Sequence, residues 1–250
     1  MSPWQALLIL LAGVAAGTIN TVVGSGTLIT FPVLLSVGIA PVTANVSNNV
    51  GLLPGYLAGA YGYRRELAGQ RPRVIRLGVA SALGALAGAV LLLVLPSAAF
   101  HAIVPVLIVI ALVLVVFGPQ ITDRLAHTRH RPRHSVTALL WVLVLLSGVY
   151  GGYFGAAQGV LLMGIFGVLL ADDLQRQNGL KNVLSGLVSM VAAVVFVLSA
   201  HVDWAAAALI AAGSIAGAVL GARLGRRLSP TALRVVIVVV GIAAIVKLVS

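Results

Sequence analysis

Apolar positions along this chain neither alternate nor form narrow stripes; they run in blocks. Ten blocks stand out: Trp4–Ile19, Thr27–Ile39, Ala44–Tyr63, Val74–Leu95, Ala102–Gly118, Val136–Gly151, Val160–Ala171, Asn182–Ala200, Ala205–Leu224 and Ala232–Val249. Most approach the roughly 20 residues that a helix needs to cross a hydrocarbon core of about 30 Å. The second and seventh fall short, because a helix rises only about 1.5 Å per residue. Continuous blocks predict helices rather than barrel strands, which alternate polar and apolar. The expected fold is therefore all-α: a polytopic helical membrane protein, a single membrane domain over residues 1–250. The first block lacks the basic stretch that precedes a signal sequence, and it has a counterpart later in the chain. It reads as part of the fold.

The blocks repeat. Gly26 matches Gly159, Asn45 matches Asn178, Asn49 matches Asn182, Ser81 matches Ser214, Gly84 matches Gly217 and Gly88 matches Gly221, each pair separated by 133 positions. One ungapped offset running through five segments predicts a tandem duplication. Residues 1–118 form repeat one, 119–135 a basic cytoplasmic linker and 136–250 repeat two. The first two segments of each repeat are short or broken.

Charge orients the two units. Hydrophobic residues make up 60% of the chain and charged residues 8%, with a net charge of +11, too few charges to cover a water-facing surface. The basic residues sit between apolar blocks without interleaved aromatics, so they read as topology signals and anionic-lipid contacts, not as a nucleic-acid surface. Arg64, Arg65, Arg71, Arg73 and Arg76 follow the third block. Arg124, Arg129, Arg131 and Arg133 lie between the halves, and Arg223, Arg226 and Arg227 follow the ninth. These loops are expected to face the cytoplasm, whereas the loops 96–101 and 199–204 contain no Lys or Arg and are expected outside. Equivalent loops then face opposite sides. The halves are expected to be inverted in a cell membrane with both termini outside, an arrangement typical of secondary transporters. The chain has no cysteine, which excludes disulfides, thiolate metal sites and cysteine nucleophiles.

Two polar features interrupt the apolar blocks. The first is a glycine-rich turn in each half. One contains Asn20, Gly24, Ser25, Gly26 and Thr27; the other runs from Gly151 through Gly155 to Gln158 and Gly159. Broken helices inside a bilayer survive only where protein or a polar cavity satisfies their peptide groups. The helix starts after the turns could offer amides and positive dipole ends to an anion; alternatively the glycines only permit close packing. The second feature is the set Asn45, Ser47, Asn48 and Asn49, matched by Asn178, Lys181 and Asn182. These residues line a substrate path, or they are helix caps with Lys181 reaching to the interface.

Other features carry less. Gly84/Gly88 and Gly213/Gly217/Gly221 have the spacing of helix-packing motifs. His127, His130 and His134 lack the carboxylates or cysteines of a metal site. Ser25 lacks a histidine base within the apolar blocks, which argues against catalysis. All five acids, Glu66, Asp123, Asp172, Asp173 and Asp203, fall outside the blocks or at their ends. No ionisable coupling residue is evident within the membrane, and a cation would find no counter-charge there. An anion fits better.

These residues resemble a known family. Gly17-Thr-Ile-Asn20, Gly24-Ser-Gly26, Phe31-Pro32 and Ala44-Asn45…Asn49 are similar to the first half of the TauE/SafE family of sulfite exporters. Tyr150-Gly-Gly-Tyr-Phe-Gly155, Lys181-Asn182-Val-Leu-Ser, Val202-Asp-Trp204 and Gly217-Ala-Val-Leu-Gly221 are similar to the second. The chain departs from the usual glycine triplet at Ala156-Ala157-Gln158-Gly159. The resemblance implies a permease that exports sulfite or an organosulfonate-like anion. The expected partners are a small anionic substrate and the lipid bilayer; no nucleic acid, metal or cofactor is expected. A cation or metal-ion permease is the alternative, followed by a membrane enzyme or assembly factor.

Overall fold

The computed structural model describes residues 1–126, 134–170 and 172–224, together with isolated positions beyond; for 118–126, 134–137 and 224 only the backbone is described. Nine helices occupy the described residues: α1 Pro3–Val22, α2 Thr27–Ser36, α3 Pro41–Gly62, α4 Arg71–Val94, α5 Ser97–Ala126, α6 His134–Tyr153, α7 Gln158–Leu169, α8 Leu174–Ser199 and α9 Trp204–Leu224. Local chemistry sets several starts. Ser2 and Gln5 form a reciprocal capping box with Pro3 in the first turn, where its missing N–H costs nothing. Pro41 opens α3, and the Asp173 carboxylate accepts the Gln175 amide at 3.0 Å to open α8.

Five of these helices are long and apolar enough to cross a membrane: α1, α4, the 97–117 part of α5, α8 and α9. The protein is thus an all-helical, multi-pass membrane protein. Helix α3 has the length, 22 residues, but carries Asn45, Ser47, Asn48 and Asn49 in its first turns. Helices α2 and α7 have 10 and 12 residues, and neither crosses alone.

Several boundaries differ from the sequence reading. Helix α8 begins at Leu174 rather than Asn182, so Asn178, Lys181 and Asn182 stand in its second and third turns. The linker expected over 119–135 is narrower, since α5 continues to Ala126 and α6 starts at His134. The tenth segment lies mostly outside the described residues.

Packing partners correspond between the halves. Helix α1 packs on α9 as α6 packs on α4, α3 on α9 as α8 on α4, and α2 on α3 as α7 on α8. The starts of α3 and α8 are 133 positions apart, as are those of α4 and α9. Helices α1 and α9 run parallel: Gly213 lies against Leu10 and Val14, and Gly217 against Val14 and Thr18. Helices α4 and α6 do the same, with Gly84 against Leu145 and Val149, and Gly88 against Val149 and Tyr153. A Cβ at Gly84, Gly88 or Gly217 would strike a partner carbonyl, so these spaced glycines are helix-packing positions. Helices α3 and α8, the equivalent members of the two halves, run antiparallel: Asn49 meets Ser189, Tyr56 meets Gly186 and Tyr63 meets Gly179.

The bundle has two chemically different ends. The loop after α3 and the starts of α4 and α8 are joined by the Arg73–Asp172 ion pair and by the Arg176 bond to the Ala68 carbonyl. The end of α9 joins them through Gly62 and Ala222. This end holds Arg64, Arg65, Arg71, Arg73, Arg76, Arg176 and Arg223. At the opposite end the Asp203 amide donates to Ser47 Oγ at 2.8 Å and Phe100 packs on Tyr153; the connections there, 95–96 and 200–203, contain no Lys or Arg. Between the ends the outer surface is apolar: Val79, Leu83, Leu86, Val90, Val106, Val109, Val142, Leu146 and Val194 are all exposed. Water would not tolerate such a surface, and lipid requires it.

Candidate functional site

Two helix breaks define the centre of the molecule. Helix α1 ends as the amides of Val23 and Gly24 both donate to the Ile19 carbonyl, at 2.7 and 2.9 Å. The chain then folds back so that Gly26 lies against Ala16 and Asn20. The Gly26 amide donates to Asn20 Oδ1 at 2.6 Å, and α2 begins. The second half repeats the device. The amides of Phe154 and Gly155 both donate to the Tyr150 carbonyl, at 3.0 and 3.1 Å, before α7 starts at Gln158. Gln158 Nε2 reaches back to the Ser147 carbonyl at 3.3 Å. Gly24 and Ala157, 133 positions apart, both adopt left-handed backbone, with φ of 93° and 58°. The alanine sustains this at a cost of about 1–2 kcal/mol.

The two tips touch. The Gly159 amide donates to the Gly24 carbonyl at 3.0 Å. A Cβ on either glycine would collide with the other's Cα. Each tip belongs to a different half, so this backbone contact joins the halves at the centre.

The asparagines and the lysine hold the broken ends. Asn45 Nδ2 donates to the Tyr153 carbonyl at 2.9 Å, at the end of α6. Three residues of α8 do the same for α1. Asn178 and Asn182 each donate to the Thr21 carbonyl at 3.3 Å, and Lys181 Nζ donates to the carbonyls of Asn20 and Thr21 at 2.9 and 3.2 Å. In both halves, then, the carbonyl end of one broken helix is capped by side chains from the other half, a favourable place for donors and cations. None of these asparagines caps its own helix start. Lys181 does not reach the interface either: it is fully buried, and it is the one charged residue among the buried described residues. An ionisable group does therefore stand inside the bundle, which the apolar blocks had hidden.

The other predicted residues gather nearby. Asn48 Nδ2 donates to Thr27 Oγ1 at 3.3 Å, and Asn48 Oδ1 accepts from Thr30. Asn49 accepts from Ser189 Oγ through both its carbonyl and its side chain. A cavity of about 10 Å³, room for about one water, is lined by Thr27, Asn48, Asn49, Tyr56, Gln158, Ser185 and Ser189. Ser25 and Ser185 are buried, and their hydroxyls have no partner among the described residues; nor do the side-chain oxygens of Asn178 and Asn182. Tyr56 and Ser189 escaped the sequence reading because no glycine or identical repeat partner marks them, and Ser185 entered it only as the last residue of the Lys181–Ser185 resemblance. Asn48 has no asparagine counterpart, since the residue 133 positions on is Lys181.

The geometry refines the expected anion site. The Gly26 and Gly159 amides are spent on Asn20 and Gly24, whereas the Thr27 and Val160 amides at the two helix starts, those expected to face a solute, donate to no described residue. The Lys181 side chain and the unpaired serine hydroxyls are further donors. Apolar side chains pack at either end of the bundle. Phe31, Phe100 and Phe154 stack edge-on at one end, with Phe31 and Phe154 centroids 5.2 Å apart. Leu77, Leu162, Phe166, Leu170, Leu180 and Leu184 pack together toward the arginine-rich end. Of the loop histidines, His127 and His130 lie outside the described residues, and only the backbone of His134 is described.

Known proteins share this sequence pattern. The family described as sulfite exporter TauE/SafE matches residues 9–248. A "probable membrane transporter protein ORF9" of Sinorhizobium sp is 27% identical over 241 residues, covering 96% of this chain and 90% of the relative. A "probable membrane transporter protein" of Haemophilus influenzae is 25% identical over 237 residues, covering 95% and 91%. The "probable membrane transporter protein YfcA" of Escherichia coli K12 is 23% identical over 206 residues, covering 82% and 75%. No solved structure matches the chain.

Proposed function

Because the chain belongs to the TauE/SafE family of membrane transporters, we propose that it exports a small sulfur-containing anion such as sulfite or an organosulfonate. The observation that carries this reading is Lys181. A fully buried ammonium stands beside the touching tips, and it forms no ion pair among the described residues. In a low-dielectric interior such a charge is costly without a partner and attracts an anion strongly. Here it rests on two carbonyls, which a negatively charged oxygen can displace. The unpaired hydroxyls of Ser25 and Ser185 supply neutral donors. Asn45, Asn49, Asn178 and Asn182, with Gln158, shape the path.

The central cavity, with room for about one water, fits a contracted state in an alternating-access cycle. The proposed cycle opens the aromatic seal or the leucine seal in turn, while the tip contact at Gly24 and Gly159 acts as the pivot. Two inverted repeats would make the two open states near-equivalent. The antiparallel pairing of α3 with α8 and the segregation of arginines to one end support this arrangement, with the arginine-rich end in the cytoplasm and both termini outside.

Purified protein reconstituted in vesicles loaded with sulfite, a short alkanesulfonate, chloride or potassium tests the substrate class. Faster release of sulfite or the alkanesulfonate than from protein-free vesicles is expected, with no change in potassium release. Potassium release without anion release would favour a cation permease.

Orientation has its own test, since the chain contains no native cysteine. Single cysteines at the exposed positions Ala68 and Arg223 are expected to react with an impermeant maleimide only after the cytoplasmic face is opened. Those at the exposed Ala98 and His201 should react in intact cells. Labelling of 98 and 223 from the same side would rule out the inverted arrangement.

A further inference from the structure

The arginine-rich end contains a second cavity, separate from the central site. It measures about 410 Å³, is open to the surface, and is lined by Gly69, Gln70, Arg73, Arg76, Asp172 and Arg176, with Pro72 at its rim. Its walls are the first turns of α4 and α8. Three guanidiniums face one carboxylate there. Asp172 is shared, bonded to Arg73 and 3.8 Å from Arg176 Nε. Arg73 is further held by Gln70 Oε1 at 3.1 Å, and Arg176 by the Ala68 carbonyl at 3.3 Å. Arg76 has no hydrogen bond or ion pair among the described residues, so the cavity keeps an uncompensated positive charge at its mouth.

The floor of the cavity does not lead inward. Leu77, next to Arg76, and Leu180, one helical turn beyond Arg176, are fully buried and belong to the leucine cluster at this end. A solute collected here has no polar route to Lys181 in this conformation. What does continue from the cavity lies on the outside. Below Arg76 on the same face of α4, Val79, Leu83, Leu86 and Val90 form an exposed apolar stripe at alternating spacings of three and four residues. Ile75 and Leu174 flank the cavity mouth and are also exposed. An unpaired cation above an apolar track matches one kind of ligand, a molecule with an anionic oxygen head and an acyl tail.

We propose that this cavity binds the phosphate headgroup of an anionic phospholipid in the leaflet facing the arginine-rich end, with one acyl chain along the Val79–Val90 stripe. Arg76 carries the main contact, and Arg73 and Arg176 contribute by exchanging part of their hold on Asp172. Because Asp172 follows α7 and Arg73 opens α4, a headgroup here also bridges the two halves. The site is independent of the transported solute.

The test uses the full-length protein in a neutral detergent, followed by thermal unfolding and by mass spectrometry of retained lipid. Phosphatidylglycerol is expected to raise the unfolding temperature and to remain bound, whereas phosphatidylcholine does neither. Arg76→Gln should weaken phosphatidylglycerol binding about fivefold, the weight of one basic residue at an anionic surface. Arg76 has no partner among the described residues, so this variant should unfold normally without lipid. Arg71→Gln, outside the cavity, should bind like the wild type. Glycerol phosphate and sulfite separate the two sources of an anionic head: neither should reproduce the shift. If either does so at the same concentration, the cavity is a soluble-anion site and the lipid assignment is overturned. Equal shifts from the two phospholipids, or an unchanged Arg76→Gln, overturn it as well. If Arg76→Gln fails to purify, the lipid retained by the wild type decides: selective retention of phosphatidylglycerol supports the site, and indifferent retention refutes it.

Discussion

Lys181→Met is expected to stop anion release while leaving the protein folded in the membrane. Methionine matches the length of the lysine stem and removes the cost of burying an ion, several kcal/mol. It also removes two hydrogen bonds to the end of α1. Thr21 keeps the amides of Asn178 and Asn182, so the only carbonyl stripped of its partner is that of Asn20. An unpaired buried carbonyl costs about 1–3 kcal/mol, comparable to or smaller than what the lost charge returns. Stability should therefore change little. Transport should not survive. A charge-assisted hydrogen bond to a solute is worth about 1.5–3 kcal/mol, so initial rates of sulfite release should fall by about tenfold or more. The measurement is release from vesicles at matched protein content, beside the unfolding temperature of each variant. Wild-type release from Lys181→Met would reduce the ammonium to a cap on α1 and remove the main support for an anionic substrate.

The same lysine shows where sequence reading succeeds and where it stops. The breaks at Gly24–Gly26 and Gly155–Gly159 were legible, because a helix too short to cross, next to a polar glycine turn, has few other places to be. The pairing of Asn45 with Asn178 was legible through the repeat, and the two make equivalent contacts with the opposite half. The start of α8 was not legible. Gln175, Arg176, Gln177, Asn178 and Lys181 look like a polar connection between two apolar blocks, since hydropathy treats every polar residue as bound for water. In the fold, Gln177, Asn178 and Lys181 are buried and satisfy the carbonyls of other elements. Whether a lysine near a helix end snorkels outward or turns inward depends on which neighbour leaves carbonyls unpaired. Here that neighbour is α1, 160 positions away in sequence, and no local pattern reports it. The spent amides of Gly26 and Gly159 were hidden for the same reason: their acceptors are fixed by how the tips fold back and meet.

Gly159→Val and Gly26→Val are each expected to abolish transport. At Gly159 a side chain would strike the Gly24 backbone and come within 3.1 Å of Lys181 Cδ. At Gly26 it would lie 2.7 Å from the Asn20 side-chain carbon, against the amide that secures the start of α2. In both places the obstacle includes backbone, so repacking of a flexible side chain cannot relieve it. The tip contact is also where the halves must move past each other if the two seals open alternately, and two glycines offer a backbone surface with nothing to interlock. Adding a branched side chain fixes or separates the tips, and either outcome stops the cycle. A suitable control is Gly38→Ala. Gly38 has φ of 91° with nothing within 4 Å of an added Cβ, so that variant meets backbone strain of about 1–2 kcal/mol without a collision at the tips. It should transport, whereas Gly159→Val and Gly26→Val, compared at equal membrane content and after gel filtration to confirm a folded species, should release sulfite no faster than empty vesicles. Retained transport in Gly159→Val would mean that the tips separate without consequence, and the pivot would have to be sought elsewhere in the bundle.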